Sequence, residues 1–402
     1  MRTIREVERG MNKQRLKLVA AVMLLSVLIL LLSGCWDNHE LDKLFIVTGI
    51  ALDKANDPEQ LDISLQIGKP KSNVSNSDKS NSQQDSTIQL KTTAYTMMEG
   101  LMEFNRDSSR TLLLQHNQVL LLGSALAEQG IKDHIDLFLR DQEARMEVLM
   151  MIADGRAEDV LSAKLDQEKI SGIFLAREMQ DLYAVSPYYR IRMLDFASRL
   201  RDGTTSPVAP IVAVVDEDNK QKIKIDGFAV FRDGKMIGRL NNDEVMGYIW
   251  AMGDVKQCGV VADCDLGRAV FQIINLDTKR DVTLLPDGGV RVTLTVDATL
   301  NIDELRGFNG MTSKDLMPYL VDLAQSEIRR KITDTFETTQ TLNADIYGIG
   351  TSVHREYPKE WKELKNRWNE LFPDIELDVQ VKVHIPATGQ IVKSLEMEGS
   401  KS

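Results

Sequence analysis

The sequence predicts an α/β chain (α+β with mixed sheets) of three domains, each a mixed sheet packed by helices. Its 402 residues, 43% hydrophobic and 27% charged, describe a folded chain rather than a disordered, collagen-like or polytopic membrane one. At roughly 100–200 residues per domain, that length predicts two or three domains with sizeable cores. Runs with the two-residue period of strands alternate along the chain with runs at helical spacing, and no solenoid-type repeat is visible.

Residues 1–34 change the meaning of these totals. Arg2, Arg5, Arg9, Lys13, Arg15 and Lys17 form a basic leader, and Leu18 to Leu32 is apolar apart from Ser26. That run is short for a membrane span of about 20 residues and reads as the core of a signal peptide. Leu32-Ser33-Gly34-Cys35 follows and resembles the bacterial lipobox, in which small residues enter the signal peptidase and the Cys thiol takes diacylglycerol. Cleavage between Gly34 and Cys35 is expected, leaving Cys35 with S-diacylglycerol and N-acyl groups that hold the chain on the outer face of the cytoplasmic membrane. The whole chain has net charge -11, and loss of residues 1–34 leaves 43 basic against 58 acidic side chains. Such an acidic body excludes nucleic acid as a first partner.

The domain expected over 35–205 begins with Leu44 to Leu52, apolar on both faces apart from Thr48 and therefore a buried strand. Leu61 to Ile67 alternates and pairs with it, while the Ser/Asn/Lys-rich stretch 70–86 reads as a mobile surface loop. Thr87 to Lys91 resumes as a strand, and Met97, Leu101 and Phe104 mark one face of a helix over Ala94 to Asn105. Leu112 to Leu122 has polar Gln115, His116, Asn117 and Gln118 at its centre and reads as a kinked strand or as two. A helix over Ala125 to Leu139, a strand over Glu147 to Ala153 and helical stretches from Arg156 to Leu200, interrupted near Ser186-Pro187, complete the domain.

The turn-rich segment Arg201 to Pro207 predicts a boundary, and 206–262 is expected as a small middle domain. It holds strands at Val208 to Val215, Ile223 to Arg232 and Lys235 to Leu240, the last two joined by Asp233-Gly234, a pair suited to a tight hairpin, then a helix over Asp243 to Met252. In the last domain, 263–402, Ala269 to Leu276, Asp281 to Leu285 and Val290 to Leu300 form a meander. Leu316, Leu320, Ala324, Ile328, Ile332 and Phe336 recur every four residues on a long helix expected to lie across it. Pro358 opens a further helix with Trp361, Leu364, Trp368 and Leu371 on one face, and Ile375 to Ile385 alternates as the final strand.

Few residues suggest chemistry. With Cys35 modified, Cys258 and Cys264 remain, and the five residues between them permit a local disulfide without requiring one. No CxxC spacing exists and the five His are scattered singly, so no metal is expected. No carboxylate pair, Ser-His-Asp order or GxSxG elbow stands out, so no catalytic residue, cofactor or enzymatic activity is expected. Asp345-x-x-Gly348-x-Gly350 lacks the third Gly and the strand-turn-helix frame of a phosphate cradle and reads as a turn closing a short helix. Trp36 is suited either to the headgroup layer or to anchoring the core. Asp37 and Glu40 form a helix-start signal and are also placed to meet a basic juxtamembrane partner surface.

Four stretches together resemble the Ger(x)C family, the C-subunit lipoproteins of spore nutrient-germination receptors. They are Gly34-Cys35-Trp36-Asp37 with Glu40-Leu41 and Ala51-Leu52-Asp53; Val119 to Gly123 with Ala127 and Gly130-Ile131; Gly227 to Leu240; and Asp345 to Gly350 with Trp361 and Trp368. The resemblance implies a three-domain α/β lipoprotein of the inner spore membrane without catalysis of its own. It also implies integral membrane A- and B-type receptor subunits as partners. The alternative is a lipoprotein solute receptor of a transporter, which should show two similar open-sheet lobes around a cleft; an extracytoplasmic hydrolase ranks third.

Overall fold

Consecutive apolar residues in two short central strands are the reason the first sheet is covered on both sides. The structure, a computed structural model, describes Met23 and residues 43–68, 87–140, 146–253, 255 and 258–386. In β5 (Val119–Gly123) and β6 (Leu149–Ala153) every residue is buried. Leu120, Leu122, Met150 and Ile152 enter one core, and Val119, Leu121, Leu149, Met151 and Ala153 the other. Side chains alternate across a strand, so only a sheet with apolar cover on both faces accommodates such runs.

The sheet runs in the order β3-β2-β1-β5-β6-β7-β8-β9, with β4 (Thr111–Leu113) paired to β1 off this path. β1 (Leu44–Lys54), β5, β6 and β7 (Val208–Glu217) are parallel. β2 (Leu61–Gly68) and β3 (Thr87–Ala94) add antiparallel strands at one edge, and β8 (Lys220–Arg232) and β9 (Lys235–Leu240) at the other. One face is covered by α4 (Ala157–Ser162) and α5 (Ser171–Val185) through Val160, Leu161, Leu175 and Met179. The other face is covered by α1 (Met97–Asp107), α2 (Ser124–Gln129), α3 (Lys132–Arg140), α6 (Met193–Asp202) and α7 (Asn242–Met252).

Local signals set the ends of these elements. α1 starts three residues later than its apolar spacing predicts because Thr96 and Glu99 form a capping box, the Glu99 N–H donating to Thr96 Oγ1 at 3.2 Å. The helix predicted over 125–139 is two, broken at Gly130, whose φ of 134° no other residue adopts readily. The segment 112–122 is two strands joined by a 3-10 turn, Leu114–His116. In the β8–β9 turn Asp233 and Gly234 have φ of 52° and 80°, as a two-residue hairpin requires.

The second sheet has the order β10-β11-β12-β13. β10 (Gly259–Cys264), β11 (Gly267–Leu284) and β12 (Val290–Gly307) form an antiparallel meander, and β13 (Glu376–His384) adds parallel to β12. The 29-residue α8 (Ser313–Thr341) packs against it, with Leu316, Leu320, Ala324, Ile328, Ile332 and Phe336 all buried as their spacing predicts. Two expectations fail here. The meander holds two 18-residue strands rather than three short ones. The helix predicted after Pro358 is two single turns, α10 (Trp361–Leu364) and α11 (Trp368–Leu371), joined by a 3-10 turn.

Strand pairing follows two sheets rather than the three domains bounded at 35–205, 206–262 and 263–402. β7 to β9, expected in a middle domain, continue the first sheet, and β10 belongs to the second. The turn-rich composition of 201–207 marks the loop from α6 into β7, and such residues serve a tight loop as well as a linker. Residues 45–108 and 112–402 form one compact unit, and 1–44 with 109–111 form another.

Candidate functional site

The residues expected to carry the membrane attachment, Gly34, Cys35, Trp36, Asp37 and Glu40, lie outside the described residues, as does the loop 70–86. β1 enters at Leu44, and Ile46 pairs with Gly68, which in turn pairs with Thr87. The start of β1, the end of β2 and the start of β3 therefore share one end of the sheet, that of the amino-terminal ends of the parallel strands.

At the opposite end, where α/β sheets commonly hold ligands, the chain supplies its own anion. Asp53, at the end of β1, is 3% exposed, and its carboxylate accepts the N–H groups of Ala157 at 2.7 Å and Glu158 at 2.9 Å. These are the first N–H groups of α4, the place a phosphate or other anion would otherwise take. Gly123 allows this approach, since a Cβ there would collide with Asp53 Oδ1. Burial raises the Asp53 pKa, opposed by the two N–H groups and by Arg156.

A second carboxylate does the same in the carboxy-terminal part. Asp345 is 4% exposed and accepts the N–H groups of Ile349 at 3.0 Å and Gly350 at 2.8 Å. It caps α9 (Ile349–Glu356), so the Asp345 turn opens a helix instead of closing one. Gly348 sits in the left-handed region at φ 70°, and a Cβ on Gly350 would press into the rings of Trp361 and Trp368. Those two indoles are therefore core, packed edge to face with ring centroids 5.3 Å apart. Beside Asp345, Arg280 reaches in from β11, donating to the Tyr347 carbonyl at 2.7 Å. Burial raises the Asp345 pKa and lowers that of Arg280, and each opposes the other's shift by its charge.

Sequence reasoning missed Arg280, although a signal exists. Leu276, Thr278, Arg280 and Val282 share the inward face of β11, and a cation at a core-facing strand position needs a buried partner. Arg199 was missed as well: it lies half-buried and donates from Nη1 to the Tyr248 hydroxyl at 3.1 Å.

Cys258 and Cys264 are both free. The disulfide that their spacing permits is ruled out by the extended strand β10, whose five steps from Gly259 to Cys264 span about 17 Å, far beyond the reach of one S–S bond. Burial pushes the Cys258 thiol up to about 11, so it is un-ionised and inert near neutral pH. Among the described residues no group of three His, Cys, Asp or Glu side chains could hold a metal ion. No described helix is long and apolar enough to cross a membrane.

A groove of about 1250 Å³ lies between α1 and α3, lined by Tyr95, Met98, Lys132, His134 and Leu137 among others. Tyr95 is 55% and Met98 40% exposed, and Met102, one turn along α1, is 63% exposed. Burial lowers the His134 pKa, against a weaker opposing effect of Asp133. A lowered folded pKa means that the unfolded chain binds the proton first on acidification. Stability is therefore expected to fall as pH drops below about 6.5, the ordinary His value, until the folded state protonates as well. Thermal melts between pH 5 and 8 should show a shallower slope in His134→Gln; identical slopes would remove His134 as a source.

The amino-acid sequence has relatives across nearly its whole length. The family described as "Spore germination protein N-terminal domain" matches residues 37–214, and that described as "Spore germination B3/ GerAC like, C-terminal" matches residues 226–389. Spore germination protein KC of Bacillus subtilis (strain 168) is 26% identical over 398 residues, covering 92% of this chain and 96% of that protein. Spore germination protein A3 of the same organism is 26% identical, covering 90% and 96%. Spore germination protein B3, also of that organism, is 25% identical, covering 89% and 95%. The crystal structure of the GerBC protein matches with a TM-score of 0.56 at 19% identity, covering 84% of this chain and 96% of that one, a likeness of fold.

Proposed function

The chain belongs to the GerAC-like family of spore germination proteins, and from that premise we propose that it is the lipid-anchored, non-enzymatic subunit of a nutrient germinant receptor. In this reading acyl chains on Cys35 hold it to the outer face of the cytoplasmic membrane, which in the spore is the inner spore membrane. It works there through contacts with integral membrane A- and B-type subunits, so that ligand binding by the complex shifts their equilibrium toward the conducting state. One observation carries the proposal: the two family domains match in order over almost all of the sequence that follows the lipobox. The helix N-termini at Asp53 and Asp345 are filled by the chain's own carboxylates, so neither is open to a phosphate. Among the described residues, a sheet of nine strands and one of four do not make the two similar lobes expected of a solute receptor.

Dipicolinate release from spores carrying Cys35→Ala tests this, with protein abundance measured alongside and a receptor-independent trigger as control. The nutrient response is expected to fall about tenfold or more while the control trigger works normally, as stable membrane attachment requires the acyl chains. An undiminished nutrient response in a strain lacking paralogous receptors would overturn the assignment. Copurification of both membrane subunits from detergent-solubilised spore membranes is the expected companion result.

A further inference from the structure

At the amino-terminal ends of β1, β5 and β6, beside α5, lies a cleft of about 680 Å³ whose lining includes Thr48, Asn117, Gln118, Glu147, Gln180 and Arg190. Its size falls in the range of roughly 300–1,000 Å³ typical of small-molecule sites. Two of its polar side chains make no hydrogen bond or ion pair among the described residues. Asn117 is 5% exposed, and neither the nitrogen nor the oxygen of its carboxamide has a hydrogen-bond partner. Buried amides elsewhere in this sheet are satisfied: Gln66, 2% exposed, donates to the Leu161 carbonyl at 2.8 Å and accepts the Gly172 N–H at 2.9 Å. An orphaned carboxamide is therefore an exception within this sheet, and in native proteins such groups call for an explanation.

The second is Arg190, half-buried, with its guanidinium 5.7 Å from the centroid of the Tyr183 ring. It makes no ion pair or hydrogen bond among the described residues, whereas the other charged groups of the cleft are engaged: Arg177 with Glu168 and Glu147 with Arg192. A guanidinium presents a planar fork of donors that matches a carboxylate, and a carboxamide offers one donor group and one acceptor to a second amide or a hydroxyl.

We propose that this cleft binds a small carboxylate that also carries an amide or hydroxyl group, the carboxylate on Arg190 and the second group on Asn117. The walls are fixed by the Gln118 N–H bonded to the Thr48 carbonyl at 3.1 Å and the Leu149 N–H bonded to the Gln118 carbonyl at 2.9 Å. Asn117 itself stands outside the strand, its N–H closing the preceding 3-10 turn onto the Leu114 carbonyl at 2.9 Å. To meet a ligand its enclosed carboxamide has to turn toward the cleft, and its backbone N–H carries no sheet hydrogen bond that this would break. The cleft opens at the end of the sheet where β1 begins.

The test uses the full-length protein in detergent, with N-acetylglycine as probe because it joins a carboxylate to an amide, and with acetate and acetamide as single-group controls. Calorimetric titration and thermal melts are read together. N-acetylglycine is expected to bind and to raise Tm, with each control at least about tenfold weaker. Arg190→Gln should weaken N-acetylglycine binding about tenfold or more while the unliganded Tm stays near wild type. Asn117→Leu should abolish the ligand-induced shift yet leave the unliganded protein at least as stable as wild type, since an apolar side chain of similar size replaces an unpaired amide. Absence of N-acetylglycine binding at tens of millimolar, or equal binding in both variants, overturns the proposal. So does an Asn117→Leu protein that melts below wild type, which would make the amide a structural group with its own partner.

Discussion

Asp345→Ala is expected to lower stability by roughly 2–4 kcal/mol, because it leaves two helix N–H groups without an acceptor and removes the charge that offsets the half-buried Arg280 cation. The loss would reach both ends of the cluster. α9 would lose its cap, and Arg280, whose Nη1 holds the Tyr347 carbonyl, would be a charge in a low-dielectric setting with only neutral partners. Asp345→Asn keeps one acceptor oxygen and the side-chain shape while losing the charge, so its cost should fall between wild type and Ala. Urea unfolding of the three proteins in detergent checks this order. An Asp345→Ala protein within about 1 kcal/mol of wild type would show that the carboxylate is not what holds this region.

Gly227→Ala should be comparably damaging. Gly227 has a φ of 90°, and a Cβ there would collide with the Leu240 carbonyl where β8 meets the end of β9. Backbone strain of about 1–3 kcal/mol adds to a steric conflict of about the same size, and the neighbouring atom is backbone, which cannot turn aside as a side chain can. Gly155 provides the control: its φ is 98°, but nothing lies within 4 Å of an added Cβ, so Gly155→Ala carries the strain without the collision. The expected result is a Tm for Gly227→Ala clearly below that of Gly155→Ala, with lower soluble yield as β9 loosens from the sheet edge. Equal melting temperatures would mean that the β8–β9 region absorbs the methyl group.

What the sequence reveals of this fold depends on how far burial alone sets the pattern. The four-residue spacing from Leu316 to Phe336 was legible because one helix face meets one sheet and nothing polar intervenes. The continuous strand β11 was not, since Arg280 occupies a core-facing position and breaks the apolar alternation that Leu276 and Val282 would otherwise show. The stripe from Trp361 to Leu371 has helical spacing, yet both indoles must close on Gly350, and two single turns with a 3-10 joint achieve this. The Asp233-Gly234 hairpin was legible from turn chemistry, whereas the partners of its strands were not, because edge pairing is a long-range choice.

The candidate site divides in the same way. The proposed attachment at Cys35 rests on a local motif, read from neighbouring residues. The role of Asp53 joins groups far apart in the chain, since it meets Ala157, whereas Asp345 accepts from residues just after it and only its pairing with Arg280 is long-range. Asn117 stood out as one of four polar residues in an apolar run, but its lack of a partner is a property of the packed structure. Cys258 and Cys264 show the reverse: five intervening residues leave a disulfide open until the extended strand between them closes the question.

The two family domains end and begin at residues 214 and 226, which are strand residues of β7 and β8, and these two strands pair along their length from Val208↔Val230 to Glu217↔Lys220. The seam between two inherited modules thus runs through a hairpin, not through a joint. A hinge needs a few residues free to change φ and ψ, and here both strands are held by ladder hydrogen bonds within one sheet. The modules cannot swing apart at this seam as jaws do. A push delivered at one rim of the sheet would instead pass across it as through a stiff plate, so that a neighbour gripping the far edge feels displacement and not slack.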